Sequence, residues 1–138
     1  MPAKTIPKAR ILCTENDADT RELLTLVLSR EGYEVICSDS AANAIALLKS
    51  EKFDLVLMDN WMPDISGPRL TEKLREFNVK TPILFYSGAA YQKDKEAARL
   101  AGAQGYVVKP AETADLVAEI VKLIAEARIA YPVEIVIP

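Results

Sequence analysis

Short apolar runs alternate along this chain with longer segments in which apolar side chains recur at helical spacing. That alternation predicts successive βα units wound around a parallel sheet. Strands are expected over 9–13, 33–37, 53–58, 83–86 and 105–108. Each is a nearly continuous apolar run, the pattern of a strand covered by helices on both faces, whereas a half-exposed strand would alternate apolar with polar. The fold class expected is α/β, a doubly wound five-stranded parallel sheet.

Five helices follow the five strands. The first starts near Asp17 and puts Leu23, Leu24, Val27 and Leu28 on one stripe, with Gly32 just past its end as a stop signal. The second covers 40–49, with Ser40 as its cap and Ala41, Ala44, Ile45 and Leu48 facing inward. The third covers 68–77, with Pro68 in a first-turn position and Leu70, Leu74 and Phe77 inward. The fourth, 92–101, offers mainly Ala97, Ala98 and Leu100 among many charges and is expected to be the most loosely held. The fifth, 113–127, carries the wide stripe Leu116, Val117, Ile120, Leu123 and Ile124. This gives a polar tail over 1–8, one domain over 9–128, and an extended segment over 129–138. The proline-bracketed, β-branched residues 133–137 within that last segment suit an extra C-terminal edge strand or a contact with a second copy.

Composition narrows the function. At 138 residues the chain is the size of one average domain. A net charge of -3, with its cations spread along the chain, leaves no footprint for a polyanion, so no direct nucleic-acid partner is expected. The N-terminus lacks the apolar stretch of a signal peptide and no run reaches the length of a membrane span, so no membrane partner and a cytoplasmic location are expected. Cys13 and Cys37 fall within strand-like runs and histidine is absent, so both are expected to be buried free thiols.

In a parallel sheet every strand delivers its carboxyl end to the same edge, and ligands bind in the crevice there. The residues just past the strands are Glu15, Asn16 and Asp17 after the first, Asp59 after the third, Ser87 after the fourth, and Lys109 with Pro110 after the fifth. Such oxygen donors suit a hard divalent ion, and Mg²⁺ in particular takes one or two carboxylates plus water and phosphate oxygens. A phosphoryl group would complete that arrangement, with Ser87 donating to one of its oxygens, Lys109 neutralising another, and Asp59 left as the nucleophile. Taken singly these residues have ordinary roles as caps, loop hydroxyls and surface cations.

Together they carry a resemblance. The stretches Ile11-Leu12-Cys13-Thr14-Glu15-Asn16-Asp17, Phe53-Asp54-Leu55-Val56-Leu57-Met58-Asp59, Met62-Pro63 with Gly67, Pro82 to Ser87, and Gly105-Tyr106-Val107-Val108-Lys109-Pro110 resemble the receiver domain of bacterial two-component response regulators over about residues 9–127. The resemblance implies a flavodoxin-like strand order 2-1-3-4-5 and a stand-alone regulator that takes a phosphoryl group on Asp59 from a sensor histidine kinase or phosphotransfer protein. It further implies Mg²⁺ held by Glu15, Asn16, Asp59 and the backbone carbonyl of Trp61, and a cis bond between Lys109 and Pro110. Ser87 and Tyr106 would be the switch residues, addressing a downstream protein target. The output is protein contact and not metabolite turnover, so the chain is expected to be no enzyme beyond weak self-phosphorylation and self-dephosphorylation. A second copy meeting it through the helix 4–strand 5–helix 5 face or the C-terminal segment is a further partner.

Two residues depart from the family pattern. Asn16 stands where an acid is usual, and the bulky ring of Trp61 sits two residues past Asp59, where it is expected to hinder the hydrolytic water and lengthen the phosphorylated state. These motivate a rival reading, a degenerate receiver acting as a phosphorylation-independent interaction module. A flavin-binding electron carrier is a third, since the same architecture binds such cofactors, although no loop here is rich in the Ser, Thr and Gly that a flavin phosphate would need.

Overall fold

The computed structural model describes residues 6–132. Five strands, β1 (Arg10–Thr14), β2 (Glu34–Ser38), β3 (Leu55–Met58), β4 (Ile83–Ser87) and β5 (Gly105–Val108), alternate with α1 (Ala18–Arg30), α2 (Ala41–Ser50), α3 (Gly67–Arg75), α4 (Gln92–Ala101) and α5 (Thr113–Ala130). The sheet order is β2-β1-β3-β4-β5 and every pairing is parallel.

The strands' period of two divides the core between the faces. Ile11, Cys13, Leu55, Leu57 and Leu84 point to one side, where α1 supplies Leu24 and Leu28 and α5 supplies Leu116, Ile120, Leu123 and Ile124. Leu12, Val56, Met58, Ile83 and Phe85 point to the other, against Ala41, Ala44 and Leu48 of α2, Leu70 and Leu74 of α3, and Ala98 of α4. Because both faces are covered, the strands read as apolar throughout.

Helix starts are fixed by side chains that accept otherwise unpaired amides. Asp17 takes the Thr20 amide at 2.9 Å, Ser40 that of Asn43 at 3.1 Å, and Ser66 that of Arg69 at 3.2 Å. The end of α4 is Gly102 at φ +117, a left-handed position that a side chain would strain.

Several expected positions shift. Leu23 is 59% exposed and Leu100 71%, and Phe77 lies past the end of α3 and is also exposed. Each belongs to an apolar stripe wider than the surface available to cover it, so the flanking position is left in solvent. Cys37 is half-buried because β2 is the sheet edge. Helix α5 continues to Ala130, so residues 129 and 130, expected to be extended, are helical. The expected strand over 133–137 lies outside the described residues.

One structural residue escaped the periodicity argument. Arg75, in the last turn of α3, donates to the carbonyls of Gly102, Asn78 and Thr81 and to the Gln104 side chain, at 2.7 to 3.1 Å. It thereby ties α3 to the ends of α4 and of the loop entering β4, and burial lowers its pKa from the usual guanidinium value. Its partners lie up to 29 positions away in the chain, beyond the reach of local pattern.

Candidate functional site

The register of the sheet brings the expected residues to one edge. Thr14 of β1 is paired with Met58 of β3, so the next residues, Glu15 and Asp59, leave the sheet side by side. Ser87 of β4 is paired with Val108 of β5, and the amide of Lys109 donates to the Ser87 carbonyl at 2.9 Å. The Lys109–Pro110 bond is cis.

Across this edge Lys109 Nζ donates to Glu15 Oε2 at 2.9 Å. The Glu15 side chain is almost wholly buried and that of Lys109 mostly so, which strengthens the attraction relative to a surface pair. Burial pushes the Glu15 carboxyl above its ordinary value; the Lys109 hydrogen bond pulls it back in part, and the nearby Asp59 charge pushes it up again. Like charges crowded at one sheet edge are the electrostatic situation a cation relieves. Lys109 also stands over the Tyr86 ring, 5.2 Å from its centroid.

Asp59 is 7% exposed and Asn60 equally hidden. The Asp59 amide donates to the Thr14 carbonyl at 3.0 Å, and its Oδ1 accepts the Trp61 amide at 3.4 Å. The following loop is closed by a Trp61–Ser66 bridge and by the Gly67 amide donating to the Asn60 carbonyl at 2.8 Å. A Cβ at Gly67 would collide with the Asp59 carbonyl, the Asn60 Cα and the Phe85 ring, so the approach of α3 to the Asp59 backbone requires glycine there. The Trp61 ring is 64% exposed. Asn16 is exposed, and its carbonyl, like that of Glu15, accepts from Arg21.

Ser87 is fully buried, its hydroxyl accepting the Ala89 amide at 3.1 Å. Tyr106 stacks on Phe85 with centroids 5.6 Å apart, and its hydroxyl donates to the Ala89 carbonyl at 2.6 Å. Both residues therefore hold the same short loop.

Asp64 is the site-loop residue that sequence reasoning missed. Both of its carboxylate oxygens accept the Ala41 amide at 3.2 Å, fastening the β3–α3 loop to the start of α2. Its partner lies 23 residues upstream, and the only local sign was an acid beside Pro63.

Among the described residues no three His, Cys, Asp or Glu side chains converge as a metal cluster. The donors at this edge, two carboxylates with an amide and backbone carbonyls nearby, are nonetheless all hard oxygens and suit an ion that keeps several waters. No helix among the described residues is long and apolar enough to cross a membrane.

Comparison with known proteins agrees with this geometry. The family model described as response regulator receiver domain matches residues 11–121. The cell cycle response regulator CtrA of Brucella ovis is 34% identical over 119 residues, covering 86% of this chain and 51% of that protein, so the chain spans about half the length of the curated relatives it matches. A CheY-like response regulator receiver domain protein from Methanospirillum hungatei superposes with a TM-score of 0.83 at 29% identity, covering 88% of this chain and 97% of that one. The receiver domain of a sensor histidine kinase from Pseudomonas aeruginosa, with a magnesium ion coordinated in its active site cleft, superposes with a TM-score of 0.79 at 25% identity, covering 85% and 98%. A chain with this strand order, matched by the family model over most of its length, belongs to the response regulator receiver domains of two-component signalling.

Proposed function

We propose that this receiver is a phosphorylation switch in which Asp59 accepts a phosphoryl group from a sensor histidine kinase or phosphotransfer protein. The observation that carries the reading is the Lys109–Glu15 ion pair spanning the sheet edge beside the buried Asp59. One Asp59 oxygen attacks phosphorus while the donor's bond to phosphorus breaks, and the donor departs with that electron pair. Lys109, paired with Glu15 at the same edge, would balance phosphoryl charge, and Ser87, whose hydroxyl can turn from its loop toward a new acceptor, would donate to an oxygen of the group. Glu15, Asp59, Asn16 and the Trp61 carbonyl would hold Mg²⁺, which supplies charge neutralisation between the carboxylates and the phosphoryl oxygens.

Signalling follows from a change in hydrogen bonding. If Ser87 leaves the Ala89 amide for the phosphoryl group, the loop it shares with Tyr106 loses one tie, and the population of Tyr106 rotamers shifts. A protein target reading the face of α4, β5 and α5 would detect that shift. The domain turns over no metabolite, and a cytoplasmic location accords with a kinase donor.

A second reading, a degenerate receiver that needs no phosphoryl group, is favoured by the neutral, exposed Asn16. The two are separated by treating the protein with a small phosphodonor and Mg²⁺ and then with borohydride, which reduces an acyl phosphate to the alcohol. Conversion of position 59 to homoserine supports the switch, and an unaltered Asp59 supports the degenerate module.

A further inference from the structure

The two cysteines of this chain, 24 positions apart in sequence, are directly paired in the register of the two neighbouring strands β1 and β2. Paired positions in a parallel sheet share a face, and both thiols sit with the apolar cluster beneath α1 and α5. Strands lie about 4.8 Å apart, inside the window of Cα separations that a disulfide spans. Bonding the sulfurs asks the Cβ atoms to close by about 1 Å. Among the described residues β2 is hydrogen-bonded on one side only, so the edge strand can give.

The two sulfurs are not equivalent. Cys13 is buried, whereas Cys37 is partly open and lies 3.3 Å from the Thr25 hydroxyl. Contact with Cys13, the neighbouring Thr25 hydroxyl and the positive charge of Arg21 outweigh burial and lower the Cys37 thiol to about 6. The thiolate therefore forms at the reachable sulfur, and the buried one is held ready as its partner.

We propose that Cys37 and Cys13 are a peroxide-responsive dithiol that closes to a cross-link between β2 and β1. The Cys37 thiolate attacks one oxygen of hydrogen peroxide, the O–O bond breaks, and the departing hydroxide takes the proton released by Cys37 to leave as water. Cys13 then attacks the sulfur of the resulting sulfenic acid, the S–O bond breaks, and hydroxide leaves with the Cys13 proton as a second water. Two thiols are oxidised by two electrons and one peroxide is reduced to two waters. The bond forms one residue before Ser38, whose carbonyl holds the Glu15 amide at 3.2 Å, so it draws on the strand ends that shape the sheet edge.

The test treats the reduced full chain with hydrogen peroxide under native conditions, alkylates remaining thiols after denaturation, and maps the peptides. The expected result is a monomer with both thiols lost and a Cys13–Cys37 linked peptide that a dithiol reductant reverses. In Cys13→Ala the Cys37 sulfenic acid should be trapped by dimedone, and in Cys37→Ala the Cys13 thiol should survive. Two thiols still alkylated, disulfides only between chains, or sulfinic acid at Cys37 without a link would each overturn the proposal. The wild-type map decides the matter even if Cys13→Ala does not fold, and it is independent of whether Asp59 is phosphorylated.

Discussion

Lys109 and Glu15, 94 positions apart in sequence, meet at 2.9 Å because β5 and β1 end on the same edge of one sheet. Removing the cation leaves a buried carboxylate without its partner. Lys109→Met is expected to lower stability by about 2 kcal/mol at neutral pH, and Glu15→Gln by less, because an amide carries no charge to strand. The sign of the pH dependence follows from Glu15. Its folded pKa is raised, so its ionisation disfavours folding, and that cost vanishes as pH falls below its folded and then its unfolded value. Loss of Lys109 raises the folded value further, so the gap between Lys109→Met and wild type should narrow on acidification. Urea unfolding at several pH values reads this, and a gap that widens toward low pH contradicts it.

Arg75 binds four acceptors and no carboxylate, so it acts as a clamp for carbonyls and not as half of an ion pair. Arg75→Met keeps the aliphatic stem but orphans those acceptors, and a loss of about 2–3 kcal/mol is expected. Because charge balance is not the issue, Arg75→Lys should recover only a small part, its single ammonium being unable to reproduce the planar fork. Thermal unfolding of the two variants tests this; equal stability of Arg75→Lys and wild type would refute it.

Gly67 is fixed by space alone. In Gly67→Ala the new methyl must displace the Asp59 backbone or the Phe85 ring, and a loss of about 2 kcal/mol or more is expected, together with weakened phosphoryl uptake as Asp59 moves. Gly88, with open space around its Cα, supplies the control: Gly88→Ala should leave packing unchanged. Similar unfolding midpoints for both variants would show that the close approach is unimportant.

Trp61 is the chain's one tryptophan, so its fluorescence reports on the loop beside Asp59 without labelling. Mg²⁺ and a phosphoryl mimic such as beryllofluoride should each change its emission, and silence under both favours the degenerate reading. Although the ring is largely in solvent, the Trp61 amide donates to the Asp59 carboxylate at 3.4 Å, which ties this residue's backbone to the proposed acceptor. Trp61→Ala is therefore expected to shorten the phosphorylated lifetime, and an unchanged rate of phosphoryl loss would remove the ring from the account.

What the sequence revealed follows from the range of each interaction. Strand count, helix count and the meeting of Glu15, Asp59, Ser87 and Lys109 were legible because a parallel sheet puts every strand's last residue at one edge, whatever the intervening loops do. Leu23, Phe77 and Leu100 were misassigned because periodicity gives the direction of an apolar face but not the width of what covers it. Arg75 and Asp64 were invisible for a different reason: a polar side chain aimed at distant backbone leaves no local pattern. The Cys13–Cys37 pairing needed the register of β1 on β2, and spacing alone does not fix register.

Intact-mass measurement after incubation with a small phosphodonor and Mg²⁺ tests the phosphoryl chemistry most directly. Wild type should gain the mass of one phosphoryl group, lose it again when the metal-dependent hydrolysis is allowed to run, and Asp59→Asn should gain nothing. Equal uptake by Asp59→Asn, or none by wild type under conditions in which a known receiver is labelled, would contradict the assignment of position 59 as the acceptor.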